Sequence, residues 1–432
     1  MKSIKSTLSL VTIISFLNFS IFAAEPLQPP PLQENQLNIV TLPIPCPLSQ
    51  QKQEVKEIFD DNLSQPKEEP LRIELSLMPS EREAKNFIKD RGLDFISEGH
   101  EKSDHDVVPK IGLSIDGGGI RGLMPAKWLK MLEEELEKVD IKTPLYNVFD
   151  YVGGTSIGGI LALGVAANLP TANLISFFKE EGHNIFPKHK KITYSVQYMD
   201  FFGLVRHWYN ASSLEHLLQA NFKEMSLKEA KTNVLVTACT TKGKPWTFTN
   251  GEEYGDYKIW EVARSTSAAP TFFEAYKPSL HGELQDFSLV DGGMWINNPS
   301  TLIAASLVKE YQGGSFNPQS ISILSLGTGE SPTKAIPDSA GMVHAKSFVD
   351  ALMTSHSIGN HTMMTQLFGD NYFRINPTLE NPIALNKVNQ SVLETLESCA
   401  NRQENREIIK AFVERNKEII KDKLERNSSS YY

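Results

Sequence analysis

The stretch "YVGGTSIGGILALGVAANL" (residues 151–169) constrains the fold more tightly than any other part of the chain. A short apolar strand ends in G-T-S-I-G and runs straight into a helix with small or apolar residues on every side. A helix without a polar face has to lie inside a large domain. The pattern around it is compatible. Ile111, Leu113 and Ile115 form an apolar strand that runs into glycines, and "MPAKWLKMLEEELEKV" follows with Trp128, Leu129, Leu132 and Leu136 at helical spacing. "TNVLVTACTT" and "ISILSLGTG" read as further buried strands. Strands alternating with helices predict an α/β fold, a mainly parallel central sheet with helices on both faces in three α/β/α layers.

The chain has 432 residues, of which 40% are hydrophobic, enough to bury a sizeable core. Its net charge of −9 argues against a nucleic-acid-binding surface. Three cysteines, Cys46, Cys239 and Cys399, with no C-x-x-C spacing and no His/Cys cluster, predict neither a disulfide framework nor a metal site. Residues 1–24 have the layout of a secretory signal peptide: Lys2 and Lys5, an apolar run, then small residues. They predict export to a periplasm or beyond. Phe22 sits three positions before a cut after Ala24, an imperfect cleavage site, so an uncleaved membrane anchor is the alternative. Residues 25–107 are a leader or linker rich in Pro, Gln and charge, with a short helix near 80–90. The catalytic body is expected over 108–390. Residues 391–432 form a helical tail in which Ile408, Phe412, Ile420 and Leu424 recur in fours or multiples of four. Its other face mixes both charge signs, which predicts packing on the body instead of on a membrane.

"GTSIG" (Gly154–Gly158) fits G-x-S-x-G between a strand and a helix, the setting in which a sharp turn projects a serine hydroxyl from a sheet edge. Glycines on either side allow close packing around the strained residue, and the helix N-terminus aims unpaired N–H groups at the reaction centre. Ser156 is therefore the candidate nucleophile. Serine needs a base within hydrogen-bond reach. "LVDGGMWINNP" supplies Asp291 after the apolar pair Leu289–Val290, with Gly292 and Gly293 leaving it accessible. Asn297 and Asn298 are expected to brace the turn that carries it. "SIDGGGIRG" (114–122) satisfies G-x-G-x-x-G through Gly117, Gly119 and Gly122, the spacing of a dinucleotide turn. That reading needs an acidic residue at the end of a second strand some 20 residues on. The acids found there, Glu133 to Glu137, lie in an amphipathic helix, and Asp116 would repel a pyrophosphate. The backbone N–H groups of Gly117, Gly118 and Gly119 suit an oxyanion hole better.

"DGGGIRG", "GTSIGG", "ARSTSAAPTFFEAY", "LVDGG…NNP" and "LSLGTG" occur in an order and spacing that resemble the patatin-like phospholipases. The resemblance covers roughly residues 108–375. It implies a patatin-like α/β/α fold and a Ser–Asp dyad without histidine, which falls on Ser156 and Asp291. It places the oxyanion loop at Gly117–Gly119 with Arg121 at its basic position. It implies no cofactor, and a membrane or micellar phospholipid or galactolipid as substrate. Two rival readings remain: a Ser…Asp…His triad esterase drawing on His344, His356 or His361, and a lipid-binding protein that keeps the scaffold without catalysis. Arg264 in "ARSTSAAP" is expected to hold a loop, and the aromatic "DFFGLVRHWY" (200–209) to be local core more than a lid.

Overall fold

The computed structural model describes residues 108–187, 207–279, 288–311, 317–330 and 345–429. The expected signal peptide, leader, helix near 80–90 and residues 200–206 of the aromatic stretch lie outside these, as does His344. Seven strands form one sheet: β1 (Lys110–Ile115), β2 (Tyr151–Thr155), β3 (Asn233–Thr240), β4 (Pro245–Thr249), β5 (Leu289–Asp291), β6 (Ile321–Leu326) and β7 (Tyr372–Ile375). Their order is β4-β3-β2-β1-β6-β7, with β5 paired to β3. The β1, β2, β3, β6 and β7 neighbours pair in parallel, and β4 and β5 run antiparallel to β3.

Alternation along each strand splits the core between the two faces. Ile321 and Ile323 of β6 and Leu235 of β3 join one cluster, while Leu324, Leu326, Val234 and Val236 join the other. The smaller cluster packs against α6 (Ser300–Lys309) and α7 (Ala345–Phe368) through Ile303, Leu307, Met364 and Phe368. The larger includes α1 (Leu123–Glu137), α2 (Ile157–Ala166), α3 (Thr171–Lys179), α4 (Ser212–Phe222) and α5 (Ile259–Thr266). All ten residues of α2 are buried, as an apolar helix demands. Helices therefore cover both faces of a mainly parallel sheet, the architecture expected from the sequence.

The tail divides at Asn401–Arg402 into α8 (Gln390–Ala400) and α9 (Gln403–Ser429). Both contribute to the larger core through Leu396, Ile409, Phe412 and Ile420. Trp128 Nε1 donates to the Ala400 carbonyl at 3.0 Å, which fixes the end of α8 on α1. Phe412 is fully buried, with its ring 6.1 Å from Phe149 and 5.5 Å from Phe373. Phe412→Ala should lower the unfolding free energy by about 3–5 kcal/mol in urea titration. A loss under about 1 kcal/mol would make α9 an appendage to the core.

Candidate active site

β2 ends at Thr155, and the chain turns through Ser156 at φ 56° and ψ −126° before α2 begins. A positive φ on a non-glycine residue costs roughly 1–3 kcal/mol and persists only when its surroundings impose it. Three features do so. The Ser156 N–H donates to Thr266 Oγ1 at 2.8 Å. Thr155 Oγ1 bonds Thr237 Oγ1 at 2.7 Å and the Ile296 carbonyl at 2.8 Å. Gly154 and Gly158 press together, since a Cβ on Gly154 would stand 2.2 Å from the Gly158 carbonyl carbon. Ser156 occupies the N-cap position of α2, but its hydroxyl makes no capping bond. The side chain is left for another partner.

That partner is Asp291, and the sheet explains why. β3 has β4 on one edge; on the other, β2 pairs as far as Thr155↔Thr237 and β5 takes over at Asp291↔Ala238. Asp291 therefore fills the edge position that β2 vacates when it turns at Ser156. The Asp291 N–H donates to the Ala268 carbonyl at 3.0 Å, and its Oδ1 accepts from the Gly293 N–H at 2.7 Å. The Ser156 hydroxyl lies close enough to this carboxyl to favour its ionised form. Burial raises the Asp291 carboxyl to a pKa of about 6, against the pull of the nearby Ser156 hydroxyl and of the Gly293 bond. An acid of that strength is ionised at neutral pH and is a better base than an exposed aspartate.

The glycine loop leaves β1 beside this pair, at the carboxyl edge of the sheet, where the strand order reverses between β2 and β6. One expected donor is corrected here. The Gly117 N–H is already committed to the Asn297 carbonyl at 3.1 Å, so it is unavailable to an oxyanion. Gly118 and Gly119 open a 3-10 turn, where N–H groups have no intrahelical acceptor. Gly119 has φ +54°, and a Cβ there would lie 2.3 Å from the Leu385 carbonyl oxygen. The Gly117 carbonyl accepts from Thr328 Oγ1 at 2.7 Å and from Asn297 Nδ2 at 3.4 Å. Arg121 Nη1 donates to the Gly329 carbonyl at 3.2 Å.

Asp116, which precedes the glycines, forms a buried bidentate pair with Arg374 of β7, at 3.1 Å from Nη1 to Oδ1 and 2.6 Å from Nη2 to Oδ2. Ser357 of α7 donates to Asp116 Oδ2 at 3.3 Å. A polar cavity of about 170 Å³ opens beside the pair, lined by Arg374, Ser357, His361 and Glu330 among others, without Ser156 or Asp291. His356 and His361 are exposed on α7, and among the described residues neither bonds Asp291. His361 stands 5.7 Å from the Tyr372 ring. Arg264 is fully buried, pairs with Glu215 at 2.9 Å and donates to the Glu274 carbonyl, so it holds a loop. Tyr209 of the aromatic stretch is buried against Phe186, Phe272 and Phe273, while Trp208 stays exposed.

The sequence reading misassigned the asparagines. Asn297 bonds the glycine loop and Asn298 Oδ1 accepts from the Ser300 N–H at the start of α6, while the Asp291 carboxylate braces its own turn. It also missed Thr266, Ala268, Thr328 and Arg374. The first three lie in "ARSTSAAP" and "LSLGTG", which carried the family resemblance without an assigned role. Arg374, 258 residues from Asp116, has no local signal.

The Asp291 shift makes a prediction for stability. A carboxyl whose pKa rises from 3.8 to about 6 on folding leaves stability intact below pH 4 and removes it as pH climbs through 6. Asp291→Asn does not titrate. Its unfolding free energy should gain on the wild type by about 3 kcal/mol between pH 4 and pH 7 in parallel urea titrations. A constant difference across that range would contradict the burial account.

Residues 113–304 match the family model of the patatin-like phospholipases. Patatin-like protein 2 of Arabidopsis thaliana is 34% identical over 241 residues, covering 50% of this chain and 59% of that protein. A potato (Solanum tuberosum) protein named probable inactive patatin-3-Kuras 1 is also 34% identical, over 50% of this chain and 62% of its own length. The chain thus spans about six-tenths of the length of these relatives. The structure of human GIVD cytosolic phospholipase A2 aligns at TM-score 0.32 and 12% identity over 79% of this chain and 63% of that one, too slight a likeness to bear on the site. The elbow, the glycine loop and the strand bearing Asp291 all fall within the span, residues 113–304, that is similar to the patatin-like phospholipases.

Proposed function

We propose that the chain is a lipid acyl hydrolase of phospholipase A type, exported through residues 1–24 and acting on membrane or micellar phospholipid or galactolipid. Similarity alone does not decide activity, because a relative named as probable inactive stands at the same identity as one that is not. The observation that carries the reading is the meeting of Ser156, held in a strained strand-to-helix turn, with the buried Asp291 carboxyl on the edge of β3 that β2 vacates.

Asp291 takes the proton of Ser156 as the hydroxyl oxygen attacks the ester carbonyl, and the N–H groups of Gly118 and Gly119 receive the developing oxyanion. Collapse of the tetrahedral intermediate breaks the ester C–O bond, and protonated Asp291 gives its proton to the departing alcohol. Water then attacks the acyl-enzyme, losing a proton to Asp291. Ser156 regains that proton as the fatty acid leaves. Oxyanion contacts of this kind are each worth roughly 3–4 kcal/mol of the barrier. The positive end of α2 points at the same centre.

A fluorophosphonate probe should label Ser156, read by peptide mass spectrometry. The labelling rate should rise with pH through about 6, as Asp291 loses its proton and becomes the base. Labelling at another serine, or a rate flat from pH 5 to 8, would count against the reading.

A further inference from the structure

We propose that the outer face of α7 is the surface through which this protein docks on a lipid bilayer. The inference rests on the lipid-hydrolase reading for its choice of partner. Seven large apolar side chains are exposed among the described residues, and four of them lie on this one helix: Leu352 at 58%, Ile358 at 48%, Met363 at 47% and Leu367 at 61%. Leu352, Met363 and Leu367, spaced eleven and four residues apart, fall on one row of the helix. The inner row, including Met364 and Phe368, belongs to the core, so both sides of α7 carry large apolar groups and only one is buried.

Charge separates this helix from the other long helix. The chain is 22% charged, yet residues 351–369 contain no Lys, Arg, Asp or Glu. The exposed positions between the apolar ones are Ser, Thr, His, Gly and Gln. α9, of similar length, presents Glu, Lys and Arg to solvent and pairs them at three-residue spacing. A solvated face gains from such charges, whereas a face that enters a headgroup layer loses with each one. No helix among the described residues is long and apolar enough to cross a membrane, so contact here is along the surface.

Position identifies the partner. α7 touches the site at three heights: Met353 lies against Gly293, Ser357 donates to Asp116, and Asn360 Nδ2 donates to the Asn298 carbonyl at 2.8 Å. Met294, three residues after Asp291, is itself 54% exposed. The uncharged face thus continues towards the reacting pair, where an acyl ester has to leave its bilayer.

The test is flotation of the full chain with phosphatidylcholine vesicles, beside hydrolysis of a monomeric short-chain ester that needs no interface. Met363→Glu/Leu367→Glu should reduce partition into vesicles at least about tenfold and leave the soluble-ester rate within about twofold. Met363→Lys/Leu367→Lys should lose partition equally, because insertion rejects either charge. Unchanged flotation of both double variants would overturn the proposal, as would a wild-type dimer in sedimentation that the variants convert to monomer without a change in flotation. A Ser156→Ala protein that still floats but retains full hydrolysis would sink the catalytic reading while leaving the docking face standing.

Discussion

One short turn holds both halves of the site. Thr266 accepts the Ser156 N–H and Ala268, two residues on, accepts the Asp291 N–H. The strained serine backbone and the aspartate that replaces β2 on the β3 edge are thereby fixed to the same piece of chain. The strain at Ser156 and the burial of a carboxylate at Asp291 both oppose folding. They persist because the turn is anchored by the α5 core beneath it and by Arg264, which is buried and paired with Glu215. Ser156 and Asp291, 135 residues apart in the chain, acquire a fixed separation in this way.

The opposite wall rests on a buried charge pair. Asp116 follows β1 directly, before the glycines, and is clamped by Arg374, whose guanidinium also donates to the Ser325 and Ser357 hydroxyls. Burial of two ions is expensive unless the geometry is good and the remaining donors are used, and removing one partner commonly costs about 3–5 kcal/mol. Such a pair serves placement better than stability. It ties β7 and α7 to the loop that carries Gly118 and Gly119, in which the Gly117 donor is spent on Asn297. The loop is rigid for a reason that lies outside it.

The elbow, the sheet type and the strand end that bears Asp291 were legible in the sequence because each has a local signature. G-x-S-x-G between a strand and an apolar helix is visible within fifteen residues, and period-two or all-apolar runs mark the strands. The supports were not legible, because they are long-range. Asp116 gave no hint of Arg374, and Thr266 was one hydroxyl in a motif of several. Gly117 was taken as a donor because a sequence cannot say which amide in a glycine run is already bonded. α7 was not read as a helix surface at all: its apolar residues fall on both sides, so the pattern has no single face. The same property that hid it from periodicity is what distinguishes it in three dimensions.

The central claim is that Asp291 itself removes the serine proton. The direct measurement is the hydrolysis rate of a phospholipid or short-chain ester by Asp291→Asn, His356→Ala and His361→Ala, each checked for folding and set beside Ser156→Ala. The dyad predicts that Asp291→Asn falls to the Ser156→Ala background. Each histidine variant should keep at least about a tenth of wild-type activity, a barrier change under about 1.4 kcal/mol. A general base contributes roughly 100- to 10,000-fold, so the outcomes are well separated. A folded histidine variant that loses more than about a thousandfold would contradict the account.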